Sequence, residues 1–234
     1  MALVKINQLK VRQGAFELSI PELRIEAGQI LGVMGKSGAG KTTFLHALMG
    51  FLPIVSGEIE VRGQSVGNLS TEKRGIALMF QKPWLFEHQT VIENVGFGLA
   101  IQGIPKEARL VQARDWLKKM QIADLEERKA WEVSGGQAQR VALARAMAVG
   151  FPVLLLDEPF SAVEAPLRKD LRKLVRDLIQ ESQKAAIVVS HDWRDLEELA
   201  AHIMVLDRGK IIANETPQNL KTHPDLQIRS ICES

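Results

Sequence analysis

Short apolar segments dominate the first 35 residues and predict β-strands. Apolar and polar residues alternate over residues 18–25, where Pro21 separates two short runs, and turn-forming Gly14 and Gly28 lie on either side. Residues 30–33 are almost continuously apolar, as is typical of a strand buried on both faces. We therefore predict mostly antiparallel strands at the start of the chain, followed by a buried central strand.

The pattern then changes to that of a helix. After a glycine-rich stretch, apolar residues recur at helical spacing from Lys41 onward, and Gly50 and Pro53 end the pattern. The predicted order over residues 30–50 is strand, glycine-rich turn, helix. The apolar residues of this helix are Phe44, Leu45, Leu48 and Met49.

A helical region is predicted between about residue 84 and residue 150, where Ala, Gln, Glu, Lys and Arg dominate. Beyond it, apolar runs at 153–156, 186–189 and 203–206 predict strands, and an amphipathic helix separates the first two. Strands that alternate with helices of this length predict a parallel sheet wrapped by helices. The predicted buried stripes are Leu110, Ala113, Leu117 and Met120 in the first helical region, and Leu167, Leu171, Leu174, Leu178 and Ile179 in the later helix.

Composition excludes several kinds of partner and location. The 234 residues are 46% hydrophobic and carry a formal net charge of +2, which gives no electrostatic reason to expect nucleic acid or anionic lipid. Apolar runs fall far short of the roughly 20 residues of a membrane-spanning helix, and the N-terminus does not resemble a signal peptide. The single cysteine, Cys232, fits a reducing cytoplasm and is expected to be an idle surface thiol.

Residues 35–42, Gly-Lys-Ser-Gly-Ala-Gly-Lys-Thr, match the phosphate-loop pattern G-x-x-x-x-G-K-[ST]. Its glycines let successive backbone N–H groups turn toward phosphate oxygens, and the following helix points its positive end at the anion. Lys41 is expected to reach the β and γ phosphates, and the Thr42 hydroxyl to ligate Mg²⁺. The strand and helix on either side favour this interpretation over a chance match. The predicted nucleotide contacts here are Gly35, Lys36, Ser37, Gly38, Ala39, Gly40, Lys41, Thr42 and Thr43.

Two acids, Asp157 and Glu158, follow the apolar run at 153–156. They lie where a strand leaves the sheet, which is the edge at which open α/β sheets bind ligands. If the strand geometry continues, neighbouring side chains face opposite ways, so Asp157 is expected on the metal side and Glu158 beside the attacking water. Alternatively, the two acids only end a strand before Pro159, but the phosphate loop favours the catalytic interpretation.

Three further motifs identify the kind of phosphate-loop protein. Residues 133–137, Val-Ser-Gly-Gly-Gln, resemble the Leu-Ser-Gly-Gly-Gln signature of the nucleotide-binding subunits of ABC transporters, a resemblance that extends over practically the whole chain. The same residues also form a capping box, with Ser134 as N-cap and Gln137 three positions on, and both interpretations can hold at once. In the family this helix end grips the γ-phosphate held by the opposite subunit, so the resemblance implies a dimer. The signature residues are Ser134, Gly135, Gly136 and Gln137.

The resemblance also assigns roles to Gln81 and His191, which alone would indicate little. The sequence Leu-Met-Phe-Gln at 78–81 is similar to the family's Q-loop, whose Gln senses Mg²⁺ and the attacking water. The sequence Val-Val-Ser-His-Asp at 188–192 is similar to the switch region, whose His contacts the γ-phosphate. The implied catalytic residues are Glu158, His191, Lys41 and Gln81, and the implied Mg²⁺ ligands are Thr42, Gln81 and Asp157.

The chain departs from the family pattern at three places. Glu164 occupies the D-loop position that is usually Asp, and Glu87 stands where Pro is common. The family usually stacks adenine on an aromatic residue, often Tyr, in the N-terminal strands, and this chain has no Tyr. The alternatives left open for the base are the guanidinium of Arg12 and the ring of Phe16.

The resemblance implies an α/β fold with a P-loop NTPase (RecA-like) core, an antiparallel β subdomain and a helical insert, all in one domain. The expected core comprises residues 1–84 and 151–234, and the helical subdomain comprises residues 85–150. The implied activity is ATP hydrolysis by a head-to-tail dimer that sandwiches ATP and Mg²⁺. No regulatory domain is expected after the sequence Thr-Pro-Gln-Asn-Leu at 216–220.

The implied partners are a second copy of the chain, membrane permease subunits and a solute-binding protein, without nucleic acid. The expected location is the cytoplasmic face of the cell membrane, with a permease docked beside Gln81, where Trp84, Leu85 and Phe86 offer apolar surface. Import of a small solute or ion is favoured by the resemblance of residues 85–95 and 157–162 to importer subunits. The alternatives are an exporter or lipoprotein-type subunit, a soluble ABC ATPase that acts on ribosomes or DNA, and a binding protein without hydrolysis.

Overall fold

A computed structural model describes residues 2–232. Ten strands and eight α-helices are present in this range, together with three short 3₁₀ turns at Thr71–Lys73, Ala123–Leu125 and Ala130–Glu132. The strands are β1 (Ala2–Gln13), β2 (Phe16–Glu26), β3 (Ile30–Met34), β4 (Ile54–Val61), β5 (Gln64–Ser65), β6 (Ile76–Met79), β7 (Val153–Asp157), β8 (Ala185–Val189), β9 (His202–Asp207) and β10 (Lys210–Glu215). The helices are α1 (Lys41–Met49), α2 (Val91–Ile101), α3 (Lys106–Lys119), α4 (Gly135–Ala148), α5 (Ala165–Glu181), α6 (Trp193–Leu199), α7 (Pro217–Lys221) and α8 (Leu226–Cys232).

The strands form one sheet in the order β5-β4-β1-β2-β10-β9-β3-β8-β7-β6. Strands β9, β3, β8, β7 and β6 run parallel, whereas β5, β4, β1 and β2 pair antiparallel. The two parts meet through β10, which pairs with β2 only at Lys210 and Ser19. The α/β prediction, with a parallel core and antiparallel N-terminal strands, is therefore confirmed.

Two hydrophobic cores lie on opposite faces of the parallel strands because side chains alternate along each strand. In β7, Val153 and Leu155 join the core shared with α1 and the antiparallel strands, whereas Leu154 and Leu156 join the core beneath helices α2 to α6. All four are buried. This burial on both faces explains why the parallel strands appear in the sequence as continuous apolar runs.

The predicted helical region contains α2, α3 and α4, which pack on one another, and α4 also contacts β6. The predicted stripe of α3 is correct, since Ala113, Leu117 and the following Met120 are buried and Leu110 packs against the same core. A capping box begins α2, in which the Thr90 hydroxyl accepts a hydrogen bond from Glu93 N. These contacts hold α4 against the parallel sheet.

Three local predictions were wrong. Pro21 lies inside β2 rather than at a turn, because opposite it Gln8 adopts a left-handed conformation (φ 48°) that interrupts the ladder with β1. Leu167 is 50% exposed, since the buried face of α5 begins one turn later at Leu171. Cys232 is buried in α8, where its thiol donates to the carbonyl of Ile228, and is not a surface thiol.

None of the helices within residues 2–232 is both long and apolar enough to span a lipid bilayer.

Candidate nucleotide-binding site

The predicted site residues follow four neighbouring parallel strands. The phosphate loop (residues 35–42) follows β3, His191 lies just beyond β8, Asp157 ends β7, and Gln81 follows β6. Because parallel strands end at the same edge of a sheet, these residues share one side of the molecule. Gln81 is exposed and lies three strands from the phosphate loop, about 14 Å along the edge at about 4.8 Å a strand.

Backbone conformation makes glycine necessary at two points of the phosphate loop. Gly35 has φ 150°, and a Cβ there would lie 2.3 Å from the carbonyl oxygen of Leu206 in β9. Gly40, the N-cap of α1, is left-handed with φ 109°, and a Cβ there would lie 2.9 Å from Phe16 Cζ. The loop therefore packs against β9 and Phe16 too closely for side chains at these two positions, and glycine allows the backbone turn that a phosphate cradle requires.

Lys41, the first residue of α1, is held inside this loop. Its Nζ donates to the carbonyls of Gly35 at 2.6 Å and Lys36 at 3.2 Å. Burial lowers the pKa of Lys41, and the charges of Glu158 and Asp157 offset part of this effect. The ammonium therefore already lies where an anion would replace the two carbonyls as its partner.

The two threonines after Lys41 have different surroundings. Thr42 is exposed at the start of α1, as a metal ligand at the open edge requires. Thr43 is buried, and its hydroxyl donates to Gln13 Oε1 at 3.2 Å. The Thr43 side chain thus ties the loop to β1.

Glu158 and His191 form a pair between the ends of β7 and β8. Glu158 Oε2 lies 2.8 Å from His191 Nδ1, and the carboxylate side chain is 12% exposed whereas the imidazole is 74% exposed. Burial raises the pKa of Glu158, and the hydrogen bond and charge of His191 lower it by less. A carboxylate with a raised pKa beside an accessible imidazole is a common catalytic arrangement.

Asp157 and Glu158 diverge by a different route from the one predicted. The strand geometry does not continue, because β7 ends at Asp157 and Glu158 is left-handed with φ 50°. Burial also raises the pKa of Asp157, and the charges of Lys41 and His46 offset part of the rise. Asp157 is therefore coupled to the phosphate loop, and Glu158 to His191.

Sequence reasoning missed the buried network that holds the turn before His191. Ser190 Oγ donates to Asp195 Oδ2 at 3.0 Å and accepts from Asp192 N, while Asp195 Oδ1 accepts from Arg172 at 2.7 Å. Arg172 also forms two hydrogen bonds with Glu198. A recognisable signal was an arginine beside Leu171 on the buried stripe of α5, because a buried arginine needs acidic partners.

Helix α8 also lies beside the phosphate loop, which the sequence did not indicate. A cavity of about 480 Å³ opens between the loop, His191 and α8, whose contributing residues are Ser230 and Ile231. The remaining lining residues are Met34, Gly35, Lys36, Ser37 and Lys41.

The predicted signature segment (residues 133–137) forms the N-terminus of α4. Ser134 is the exposed N-cap; its hydroxyl accepts from Gln137 N at 3.3 Å, and Gln137 Oε1 accepts from Ser134 N at 2.9 Å. Both helical glycines face the segment 161–164, and a Cβ built on Gly136 would lie 3.5 Å from the carbonyl oxygen of Ala162. The predicted capping box is confirmed, and the helix N-terminus that it closes is exposed.

Comparison with known proteins now adds to this geometry. The family described as ABC transporter matches residues 18–161, which is more than half of the chain. The chain belongs to the ABC transporter family. It is an ATP-binding subunit of this family, and ABC transporter proteins of this kind are ATPases that drive transport.

Named relatives of this ABC transporter subunit share most of its length. A probable sulfate/thiosulfate import ATP-binding protein CysA from Chlorella vulgaris is 40% identical over 222 residues, 94% of each chain. A sulfate/thiosulfate import ATP-binding protein CysA from Synechococcus elongatus is 37% identical over 94% of this chain, which spans 64% of that relative's length. These identities agree with the family assignment.

A solved structure confirms the fold. CbiO1 from Clostridium perfringens, described as part of the ABC transporter complex CbiONQ, aligns with TM-score 0.86 over 95% of this chain and 91% of its own. At 23% identity this similarity concerns the fold alone.

The residues present also fit Mg²⁺ in the ABC transporter site. The predicted ligands Thr42 and Asp157 offer hydroxyl and carboxylate oxygens, the hard donors that Mg²⁺ prefers. Gln81 offers an amide oxygen of the same kind, but it lies about 14 Å from the phosphate loop along the sheet edge, at about 4.8 Å a strand. Within residues 2–232, three or more His, Cys, Asp or Glu side chains nowhere cluster into a metal site of their own. Nucleotide-binding proteins usually hold this ion with a few protein oxygens, and phosphate oxygens of the nucleotide complete its coordination.

Proposed function

We propose that this chain hydrolyses ATP with Mg²⁺ as a head-to-tail dimer and so drives import of a small solute or ion through a membrane permease. The observation that carries the proposal is the Glu158–His191 pair, 2.8 Å apart at the sheet edge that also holds the phosphate loop. Such a pair provides a group that can orient or deprotonate water beside a site for the γ-phosphate.

In the proposed reaction, water attacks the γ-phosphate in line with the leaving oxygen. Glu158 orients the water and accepts its proton, and His191 holds the Glu158 carboxylate and contacts the γ-phosphate. Lys41 exchanges its two carbonyl partners for phosphate oxygens and stabilises the charge that develops there. Thr42, Asp157 and Gln81 would hold Mg²⁺, whose positive charge would neutralise part of the charge on the phosphate oxygens.

The exposed N-terminus of α4 supports the proposed dimer. Ser134 and Gly135 are exposed at the start of α4, and their neighbours within the chain are the residues of segment 161–164. In the proposed dimer, the nucleotide on the phosphate loop of a second copy contacts this exposed helix end. Two copies in this orientation enclose two ATP molecules.

The test compares Glu158→Gln with the matched variant Glu181→Gln, whose carboxylate is exposed at the end of α5. Steady-state ATP hydrolysis and light scattering with ATP and Mg²⁺ are measured for both. We expect Glu158→Gln to lose at least about 99% of turnover, as when a group that stabilises the transition state is removed, and to accumulate as a dimer with ATP. Glu181→Gln should match the native chain. Normal turnover in Glu158→Gln would contradict the catalytic role of Glu158. A variant that stays monomeric with ATP would contradict the proposed ATP-bound dimer.

The permease is proposed to dock beside the Q-loop. Trp84 is 67% exposed, and Phe80, which precedes Gln81, and Phe97, whose ring contacts Phe86, are also exposed. Arg145 of α4 fixes the segment by donating to the carbonyls of Pro83 at 2.7 Å and Trp84 at 3.0 Å. An exposed apolar surface is typical of a protein interaction site. Because this segment is hydrogen-bonded to α4, movements of α4 at the nucleotide site would be transmitted to a partner bound there.

A photo-cross-linking amino acid at position 84 tests this docking site, with position 226 as control, since Leu226 is 71% exposed on α8. In membranes, position 84 should cross-link to a permease with several membrane-spanning helices, and position 226 should not. Equal labelling from both positions would contradict docking at the Q-loop.

Import is favoured because the two relatives described above are named as import ATP-binding proteins for sulfate or thiosulfate. Small oxyanions of that kind are therefore the first cargo to test. The proposed location is the cytoplasmic face of the membrane, with a solute-binding protein on the opposite side. Cargo-dependent stimulation of ATP hydrolysis, measured with the permease and binding protein in vesicles, tests the assignment. Sulfate is the probe and chloride the control.

A further inference from the structure

The backbone turn at Glu158 is held in an uncommon conformation by specific hydrogen bonds. Glu158 is left-handed with φ 50°, a conformation that costs a residue with a side chain about 1 kcal/mol. Its N–H donates to the carbonyl of Val189 at 2.9 Å, and its own carbonyl accepts from Ser161 N at 3.3 Å and Ser161 Oγ at 3.0 Å. Ser161 thus closes the turn that directs the Glu158 carboxylate toward His191.

The Ser161 hydroxyl is in turn fixed by Gln139 of α4. The Gln139 side-chain amide is buried, with the whole residue 1% exposed. Its Nε2 donates to Ser161 Oγ at 3.1 Å, and its Oε1 accepts from Ala162 N at 3.3 Å. Both ends of one amide therefore hold two consecutive residues of the segment that closes the catalytic turn.

Gln139 lies on the same helix as the exposed cap Ser134. The two residues are five positions apart, about 7.5 Å at about 1.5 Å a residue or roughly one and a half turns, and a helix of this length moves as one body. Gln139 connects α4 to segment 161–162 by hydrogen bonds, and Ser161 of that segment is hydrogen-bonded to Glu158. A shift of the helix end consequently reaches the catalytic turn through three hydrogen-bonded groups.

We infer that Gln139 is a positioning residue that couples the two nucleotide sites of the dimer, by linking the helix end that contacts one ATP to the Glu158 that hydrolyses the other. The inference rests on the proposed sandwich dimer. In it, Ser134 of each chain engages the nucleotide on its partner, whereas Glu158 acts on the nucleotide of its own chain. Gln139 joins these two groups within one chain, so ATP at either site adjusts the Glu158 turn at the other.

The chemistry of the hydroxyl supplies a sharp variant. Ser161 has one hydroxyl hydrogen, which it donates to the Glu158 carbonyl while its oxygen accepts from Gln139. In Gln139→Glu, a carboxylate of almost the same shape only accepts, and therefore draws that hydrogen away from Glu158. Gln139→Met keeps the length of the side chain and removes both hydrogen bonds.

The control is Gln102→Met. Gln102 Nε2 donates to the carbonyl of Val149 at 3.0 Å, so it makes a similar amide-to-backbone contact at the opposite end of α4. All variants are assayed for ATP hydrolysis as a function of ATP concentration, to give kcat, KM and the Hill coefficient, and for melting temperature. Light scattering in the Glu158→Gln background reports ATP-dependent dimerisation separately.

We expect a native Hill coefficient above 1. Gln139→Met and Gln139→Glu should each lower kcat at least about tenfold and bring the Hill coefficient to 1, with KM within about threefold, because a small misplacement of a catalytic group has large effects. Gln102→Met should change none of these. If Gln139→Met does not fold, the kcat and Hill coefficient of Gln139→Glu test the inference.

Three results would overturn the inference: unchanged kcat in a folded Gln139 variant, a lower melting temperature without loss of kcat or cooperativity, or a native Hill coefficient of 1. Failure of the proposed function has a different signature. In that case, the Glu158→Gln chain stays monomeric with ATP whatever residue is at position 139.

Discussion

Helices α1 and α4 both begin beside glycine residues, and we propose that both N-termini contact phosphate. The two N-termini differ in whether a side chain caps them. Helix α1 starts after Gly40, which has no side chain with which to cap it, and Lys41 lies inside the loop. Helix α4 starts at Ser134, whose hydroxyl and whose partner Gln137 close a capping box. One end is open and charged, and the other is closed and neutral.

This difference indicates which of the two helix N-termini can bind nucleotide without the other. At α1 the first N–H groups and a cation face a loop whose shape requires glycine, so the site is formed before the ligand arrives. At α4 two donors are already satisfied by the capping box, so an incoming phosphate must compete with Gln137 and Ser134. We therefore expect the phosphate loop to determine binding and the α4 end to determine closure on nucleotide that is already bound.

The largest expected effect is at the open end. Lys41→Met should lower kcat/KM by about 10²- to 10³-fold, because it removes a charge preorganised for the γ-phosphate. Lys36→Met is the matched control, since the Lys36 side chain is exposed and its carbonyl is what Lys41 contacts. ATP hydrolysis and nucleotide titration measure both variants. Equal losses in the two would mean that loop integrity, rather than the Lys41 charge, governs activity.

The second effect separates glycines needed for the fold from those needed for closure. Gly136 is helical, and a Cβ there meets Ala162 O at an ordinary 3.5 Å, so Gly136→Ala should leave the free energy of unfolding unchanged or raise it by up to about 1 kcal/mol. Hydrolysis should still fall at least about tenfold, because the added methyl fills the gap between the N-terminus of α4 and segment 161–164, beside the proposed contact with the partner's nucleotide.

Gly40→Ala is the contrast to Gly136→Ala. It must adopt a left-handed conformation and displace Phe16, so it should lower the free energy of unfolding by about 1–3 kcal/mol. Denaturant unfolding measures stability and an ATPase assay measures activity. An active Gly136→Ala variant would show that α4 does not close on nucleotide.

The third effect compares two capping boxes. Ser134→Ala and Thr90→Ala each remove a cap hydroxyl, and each should lower the free energy of unfolding by about 1 kcal/mol. Only Ser134→Ala should also lower kcat, by about 10- to 150-fold, since a hydrogen bond to a charged group contributes about 1.5–3 kcal/mol. Thermal unfolding and ATP hydrolysis test the pair. If Thr90→Ala lost the same activity, the effect of Ser134→Ala would be one of helix stability.

The sequence was sufficient where local chemistry determines local structure. Gly50 ends α1 in a left-handed conformation that favours glycine, and Ser134 with Gln137 starts α4, so both boundaries were predictable. It was insufficient where distant contacts decide. Pro21 looks like a turn until the irregularity opposite it at Gln8 is known, and Leu167 follows the helical period although the core begins one turn later.

The same division holds for the site. Lys41, Glu158 and His191 were predictable because motifs at strand ends carry them. Gln139 and Arg172 were not assigned because their roles come from contacts with residues 161–162 and 195, which the sheet topology brings together across 20 or more positions. Their residue types were visible, but their partners were not.

The smallest expected effect is a shift in pH dependence, and it should come from Glu158 rather than from the N-terminus of α4. Burial raises the pKa of Glu158, whereas the Ser134–Gln137 capping box contains no ionisable side chain. Glu158 must be ionised to accept a proton from water. Activity should therefore fall on the acid side at a pH above the value of about 4.3 for an ordinary glutamate, and Ser134→Ala should keep this limb unmoved.

Removing His191 tests the cause of the Glu158 shift. The hydrogen bond and charge of His191 lower the Glu158 pKa, so His191→Gln should move the acid limb of its residual activity to higher pH.

Stability gives a second readout of the raised Glu158 pKa. Because the folded pKa lies above the unfolded one, ionised Glu158 lowers the free energy of unfolding at neutral pH, and this penalty disappears below the unfolded pKa. Glu158→Gln should accordingly melt at a higher temperature than the native chain at pH 7.5, and the difference should vanish as the pH falls toward 4. A constant difference across that range would mean that packing, rather than the charge of Glu158, separates the two proteins.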